Sequence, residues 1–465
     1  MGMIESAKSM AERVRAKEVS PVELVETALA AIEQHNGELN AFVSLREEEA
    51  LVEAREMADQ IAGGVDPGPL AGLPLGVKDL SDVAGMVTTF GSRIHFNDPP
   101  AEADCDEVAA LRGAGAIVLG KTNTPEFAWS GYTNPPLFGP CRNPWNTERT
   151  PGGSSGGSAS AIASGMVPLA TASDGGGSIR IPANFSGLFG LKPNLGRLGN
   201  PKSGGWQFFS VSGPLTRTVE DAALLLDVTA GPVAGDPFVL PPAGLSYSEV
   251  IEGEPWKGRV LSCPNLGWGI LDPETERQVT SAIDRLGEIG ADVEEIARVF
   301  DDPSQWWITL AAADGAYSQG SDIDDYADLY DPQLFMQLQL GRSVTRESYQ
   351  QALEKRYEAC AALDILLGDD TLLVAAVTAV PAYGAEGPHP TEVAGQPVPP
   401  TGFTRTYPFN FTGNPAVSIP CGMTGDGLPV GLQVIAPRFR EDLLLRFSRA
   451  FEQAWPWELS PMAAQ

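Results

Sequence analysis

The sequence predicts an α/β protein, and three observations carry that prediction. Residues 257–263 read as a short apolar strand. Asp272-Pro273 then opens a helix whose Val279, Ile283, Leu286 and Ile289 share one face, and ADVEEI follows as a second strand. That order is the pattern of a βαβ unit. Residues 106–112 likewise read as a helix, followed at once by the buried strand AIVLG. Finally, 43% of the 465 residues are hydrophobic, ample for a large core, and no low-complexity tract divides the chain.

The remaining elements follow in order. The first 62 residues read as helical. Ser20 caps a helix with Pro21 at its first position, and apolar spacing continues through Val22, Leu24, Val25, Leu29 and Ile32. AFVSL is a short strand and residues 47–61 another helix. The segment 72–83 carries an apolar strand, LPLGV, that runs into Lys78. Residues 115–122, GAIVLGKT, match the P-loop pattern, but a helix precedes them and a strand fills the supposed loop, the wrong order for cradling phosphates. Thr218 caps an amphipathic helix, residues 229–256 are loop-rich, and two strands and a helix to Trp457 close the chain.

Composition excludes several function classes. The net charge is −29, from 60 acidic and 31 basic residues. Nucleic acids and anionic membrane surfaces need basic patches, so neither is an expected partner. The five cysteines lie far apart with neither zinc nor disulfide spacing, which fits a reducing cytoplasm. The N-terminus lacks the apolar core of a signal peptide, and the longest apolar run, near residues 372–381, is too short to span a bilayer.

The chemistry concentrates in residues 150–193, TPGGSSGGSASAIASGMVPLATASDGGGSIRIPANFSGLFGLKP. Two glycine-rich turns, GGSSGG and DGGGS, each carry serines. Glycine suits backbone that must approach something closely or adopt φ > 0. Gly/Ser clusters are often flexible linkers, but a linker is not interrupted by VPLA and followed by IRIP. Ala159, Ala161, Ala163 and Ser164 suit a helix packed tightly between the turns, and residues 166–172 read as a short buried strand. The two turns are therefore expected to converge on one spot.

This stretch closely resembles the signature of the amidase signature family, serine hydrolases of amide bonds that use a Ser–cis-Ser–Lys triad. The resemblance runs from about Ser20 to Trp457. It implies a large mixed, twisted sheet wrapped by helices and one domain over residues 1–465. Within that domain, helices of about 1–62 pack on the core, the signature covers about 72–200, and 229–256 and 381–408 are loop-rich. It makes Ser178 the nucleophile, Ser154 the bridging serine after a cis bond from Gly153, and Lys78 the base. It places Ala128, Trp129 and Ser130 along the substrate. Residues 300–345, with Trp306-Trp307, are expected to cover the site mouth and the 381–408 loop to gate it. No metal or cofactor is implied. The expected partner is a small-molecule amide or carbamate, acted on by a monomer or homodimer in the cytoplasm.

Elementary chemistry supports the roles. A serine hydroxyl needs a base to become a nucleophile. The three histidines, His35, His95 and His389, sit in no motif, leaving little material for a Ser-His-Asp arrangement. A buried lysine can serve once its pKa falls from about 10.4 towards 7–8. Gly175, Gly176, Gly177 and Ser178 can aim backbone N–H groups at a developing oxyanion. Gly175 stands where many family members carry a larger residue, a departure resembling the branch of aryl acylamidases and the nylon-oligomer cyclic-dimer hydrolase, and it suggests extra room. Asp79 should point to the face opposite Lys78. Cys141 reads as a buried small residue rather than a nucleophile. The rival function is the glutaminase component of the tRNA-dependent amidotransferase, which usually carries glutamine where this chain has Ile181.

Overall fold

Two sheets divide the labour of positioning the site. The computed structural model describes residues 3–200, 206, 208–320 and 323–461. Its larger sheet has seven strands in the order Ala291–Glu295, Gly258–Ser262, Leu372–Ala376, Pro429–Ile435, Ala416–Met423, Phe189–Lys192 and Leu215–Thr216. The first three run parallel, and every later pairing is antiparallel, so the sheet is mixed. The parallel edge contains the βαβ unit read from the sequence, with the helix Pro273–Asp284 capped by the Asp272 carboxylate. Leu286 and Ile289, expected on that helix, fall instead in a separate 3₁₀ turn, Leu286–Ile289.

A second, four-stranded sheet lies outside the single large sheet that the resemblance implied. Its order is Phe42–Leu45, Ile117–Thr122, Pro74–Lys78 and Leu169–Ala170. Pro74–Lys78 is central, parallel to both neighbours and buried along its whole length. Parallel strands covered on both faces read as continuous apolar runs, which is why LPLGV leads straight to the lysine. The N-terminal helices Ala7–Arg15, Pro21–Leu39 and Glu47–Ala62 feed the core around this sheet. Ser20 and Glu23 form a full capping box on the second of them.

The P-loop look-alike is settled by the same sheet. Lys121 lies in the strand Ile117–Thr122, fully buried, 3.5 Å from Asp79 and donating to the Ser81 carbonyl at 2.7 Å. Asp79 thus faces away from Lys78, towards a cation of its own.

Residues 300–345 are more ordered than their composition suggests. They form two packed helices, Ser304–Gln319 and Pro332–Ser343, joined through the short turn Ile323–Tyr326. The 22-residue helix Arg346–Leu367 follows. The 381–408 loop contains a two-stranded hairpin, Glu392–Val393 with Gln396–Pro397, and runs into the helix Tyr407–Thr412. No helix among the described residues is long and apolar enough to cross a membrane.

Candidate active site

The two glycine turns meet as expected. The helix Gly156–Ala163 and the short strands Leu169–Ala170 and Ser173–Asp174 separate them in sequence, and the Ser155 N–H donates back to the Ser178 carbonyl at 3.3 Å. The helix is buried throughout, which only its small side chains permit between two turns.

Lys78 ends its strand between these turns with 1% of its surface exposed. Its Nζ donates to Ser154 Oγ at 2.7 Å, Ser155 Oγ at 2.9 Å and Ser173 Oγ at 3.1 Å. Among the described residues no carboxylate pairs with it. Burial lowers its pKa to about 7, against the opposing pull of the Asp174 and Glu107 charges. Ser154 is buried and follows a cis peptide bond from Gly153. Ser178 lines an adjoining cavity, and its hydroxyl has no hydrogen-bond partner among the described residues. Lys78 and Ser154 are thus in direct contact, whereas the link from Ser154 to Ser178 is not closed as a hydrogen bond.

A buried ion pair that the sequence reading passed over holds the second turn. Burial alone would raise the pKa of Asp174, but the Arg180 guanidinium and several donors outweigh it and hold the carboxylate at about 2. Its oxygens accept from Arg180 Nε at 2.9 Å, from Asn410 Nδ2 at 2.8 Å and from the Gly177 N–H at 2.7 Å. Arg180 extends the network to Gln433 Oε1 on the large sheet. The signal was present as opposite charges bracketing GGGSI. Gly177 itself is held at φ +135°, where L side chains strain. One expectation changes here. The Gly177 N–H is occupied by Asp174, whereas the Gly175, Gly176 and Ser178 N–H groups have no hydrogen-bond partner among the described residues.

The cavity beside Ser178 has a volume of ≈ 390 Å³. Ala128, Trp129 and Ser130 line it, joined by Trp206, Trp307 and Phe403. Trp206 stands edge-on to both Trp129 and Trp307, with ring centroids 5.4 and 5.7 Å away. The room expected from Gly175 is taken. A Cβ there would lie 2.7 Å from Cε3 of Trp206, so the glycine seats an indole instead of enlarging the site. Residues 300–345 supply Trp307 and Leu334 to the wall, and the 381–408 loop supplies His389 and Phe403.

His389 is stacked on Phe403 with centroids 4.3 Å apart, and burial lowers its pKa to about 4. Its Nε2 accepts from the Gly131 N–H and its Nδ1 lies 2.8 Å from the Tyr383 hydroxyl. It fastens the loop to the 128–133 segment at a distance from the Lys78 cluster. No Lys or Arg among the described residues lines the cavity, while Glu126 and Asp331 do. Cys141 is buried, and that burial pushes its thiol up to about 12.

The mixed α/β scaffold thus carries a buried lysine–serine cluster beside an apolar cavity. The family profile described as Amidase matches residues 23–445, and the chain belongs to the amidase family, hydrolases of amide C–N bonds. It is 35% identical over 464 residues to an acylamidase of Rhodococcus erythropolis, covering 97% of this chain and 96% of that one. It is 36% identical over 474 residues to a component of the glutamyl-tRNA(Gln) amidotransferase of Geobacillus thermodenitrificans, covering 94% of each. Among solved structures it superposes on a bacterial aryl acylamidase of the amidase signature enzymes with a TM-score of 0.91 at 29% identity, over 98% of this chain and 97% of that chain.

Proposed function

We propose that this amidase cleaves uncharged, largely apolar amides through an acyl-enzyme on Ser178, with Ser154 and Lys78 as its proton relay. The observation that carries the reading is the triply bonded, carboxylate-free amine of Lys78. A neutral amine has two N–H donors and one lone pair, which matches three hydroxyl neighbours of which one must give up a proton. As an ammonium it donates to all three hydroxyls; once neutral it keeps its N–H groups on Ser155 and Ser173 and turns its lone pair to Ser154. A cation held by a carboxylate could not accept.

The steps follow from that arrangement. Ser154 passes its proton to Lys78 Nζ as it takes the proton of Ser178 Oγ, and Oγ adds to the carbonyl carbon. The oxyanion is met by the free amides of the Gly175–Ser178 turn, each typically worth about 3–4 kcal/mol in such sites. The C–N bond then breaks as the proton on Lys78 returns through Ser154 to the leaving nitrogen. Water repeats the sequence and frees the acid. Contacts such as Ser154 to Ser178 are often long without substrate and tighten in the complex.

Substrate class follows from the wall. Three tryptophans and a phenylalanine offer edges and faces to a flat, apolar group. An ester or urethane presents the same carbonyl, so the wall rather than the relay selects among them. The absence of a lining cation among the described residues weighs against glutamine as substrate, since its α-carboxylate would enter unpaired beside Glu126 and Asp331.

The test is an intact-mass measurement with a slow aryl ester, alongside rates on a neutral anilide and on glutamine. The expected result is one acyl adduct on Ser178, lost in Ser178→Ala, and an anilide rate above the glutaminase rate. An adduct that persists in Ser178→Ala removes the nucleophile, and a faster glutaminase removes the substrate class.

A further inference from the structure

Apart from the cavity beside Ser178, a carboxylate lines a separate apolar crevice. Glu107, in the helix Asp106–Gly113, is half-buried and lines a pocket of ≈ 10 Å³ with Leu75, Leu111, Leu169 and Leu225. That volume is of the order of one water probe, and the lining is poor in polar groups. Burial raises its pKa to about 7, opposed by a hydrogen bond from Ser212 and by the charge of Lys78.

Its polar neighbours lead back to the relay. Ser212 Oγ donates to Glu107 Oε2 at 3.1 Å. Ser212 lies directly opposite Ser173 in the antiparallel pair of Ser173–Asp174 with Val211–Ser212. Opposed residues of an antiparallel pair project from the same face, with Cβ atoms about 4.5–5.5 Å apart. Ser173 Oγ in turn accepts from Lys78 Nζ at 3.1 Å. Two serines of one strand pair therefore stand between the acid and the amine, one bonded to each.

We propose that Glu107 is a positioning residue of the relay, its charge acting on Lys78 across Ser212 and Ser173. The other charged groups near this path are engaged elsewhere. Asp174 is paired with Arg180. Asp79, next to Lys78 on its strand, is paired with Lys121. Arg112, on the same helix as Glu107, turns to Glu53 and Asp104. On the helix Val219–Thr229, which packs against the Glu107 helix, Leu225 and Thr229 face the crevice, while Asp221 accepts from the Lys8 N–H and Glu220 lies 3.9 Å from Lys8 Nζ. Among the described residues, Glu107 thus acts on Lys78 without an ion-pair partner of its own.

The sign is fixed by charge. An anion near Lys78 favours its ammonium form, so Glu107 holds the base protonated to higher pH than burial alone would. Ionising Glu107 thereby ties activation of the lysine to a second group that titrates in the same range, and the two change state as a coupled pair.

The inference rests on Lys78 being the base, and one experiment separates the two ideas. The pH profile of kcat/KM is measured on an anilide for wild type, Glu107→Gln and Ser212→Ala, with Lys78→Ala as reference. Glu107→Gln keeps the acceptor for Ser212 and removes the charge. Its acidic limb is expected to move to lower pH by about 0.5–1 unit. Ser212→Ala, which removes the hydrogen bond favouring the carboxylate, is expected to move it the same way by less. A wild-type limb that stays put in Glu107→Gln, or moves to higher pH, overturns the proposal even if Lys78→Ala is inactive. If Glu107→Gln does not fold, an unmoved limb in Ser212→Ala overturns it alone. An active Lys78→Ala defeats the underlying reading of the base instead. A merely structural Glu107 would scale the whole profile down and leave its limb in place.

Discussion

The relay and the cavity wall are built in opposite ways. The proposed relay is compact in sequence: apart from Lys78, its serines and the turn that holds them fall within residues 154–180, where hydrogen bonds and one buried ion pair hold Lys78, Ser154 and the turn. The wall is dispersed. Trp129, Trp206, Trp307, His389 and Phe403 come from four separate segments and meet through ring packing. Polar networks fix atoms to tenths of an ångström and fail steeply when one partner is lost. Aromatic packing is weaker per contact and more tolerant, with pairs worth about 0.5–1.5 kcal/mol beyond their buried area. Substitutions in the relay should therefore destroy rate, and substitutions in the wall should redistribute substrates.

The largest effect is expected at Lys78. Lys78→Arg should lose about 10⁴-fold or more in kcat, because guanidinium stays protonated at any working pH. On the proposed mechanism the neutral amine is the active form; its pKa is lowered to about 7, so activity should fall as pH drops through that value and level off above it. A steady-state profile showing an active arginine variant, or no acidic limb down to pH 5, would erase the contrast at its strongest point.

Gly177→Ala comes next. Its new Cβ would lie 2.1 Å from Thr406 Oγ1 at a φ of +135°, so the turn must shift and carry the free amides with it. A loss of about 10²–10³ in kcat is expected, the scale of one oxyanion donor, with KM little changed. If KM rises and kcat holds, the turn belongs to binding and the division drawn above is misplaced.

The smallest effect sharpens the other side. Trp206→Ala removes the indole seated on Gly175 and its edge contacts to Trp129, Trp307 and Phe209. A rise of about 3- to 10-fold in KM for an anilide is expected, with kcat within a few-fold of wild type. Full kinetics on aryl and short aliphatic amides decide it, since equal losses on both would mean that Trp206 supports the turn rather than selecting the substrate.

How much of this was legible follows the same division. The serine turns and Lys78 could be read because their chemistry is local: glycines beside serines, and a lysine at the end of an apolar strand. Capped helices were equally clear, as at Ser20 and Asp272, where side chain and first turn lie side by side. Contacts across space were not. That Trp206 fills the place beside Gly175 cannot be known from a glycine, which records only the lack of a side chain. Nor does DGGGS say that the Gly177 amide turns inward to Asp174. The helix Arg346–Leu367 escaped notice because only Ala352, Leu363 and Leu367 of its side chains are buried, too sparse a set to give a clear apolar face.

Burying Lys78 also ties folding to protons. The unfolded chain holds a lysine at about 10.4, whereas in the fold its pKa is lowered to about 7. A group whose folded pKa lies below its unfolded one works against the native state. The opposition is complete below about pH 7 and fades as pH climbs towards 10.4. At its full extent it amounts to about 4–5 kcal/mol, against a typical net stability of about 5–15 kcal/mol. The remaining core must outweigh that burden at every neutral pH. The fold thus holds the proposed base where, by itself, it would rather be in water.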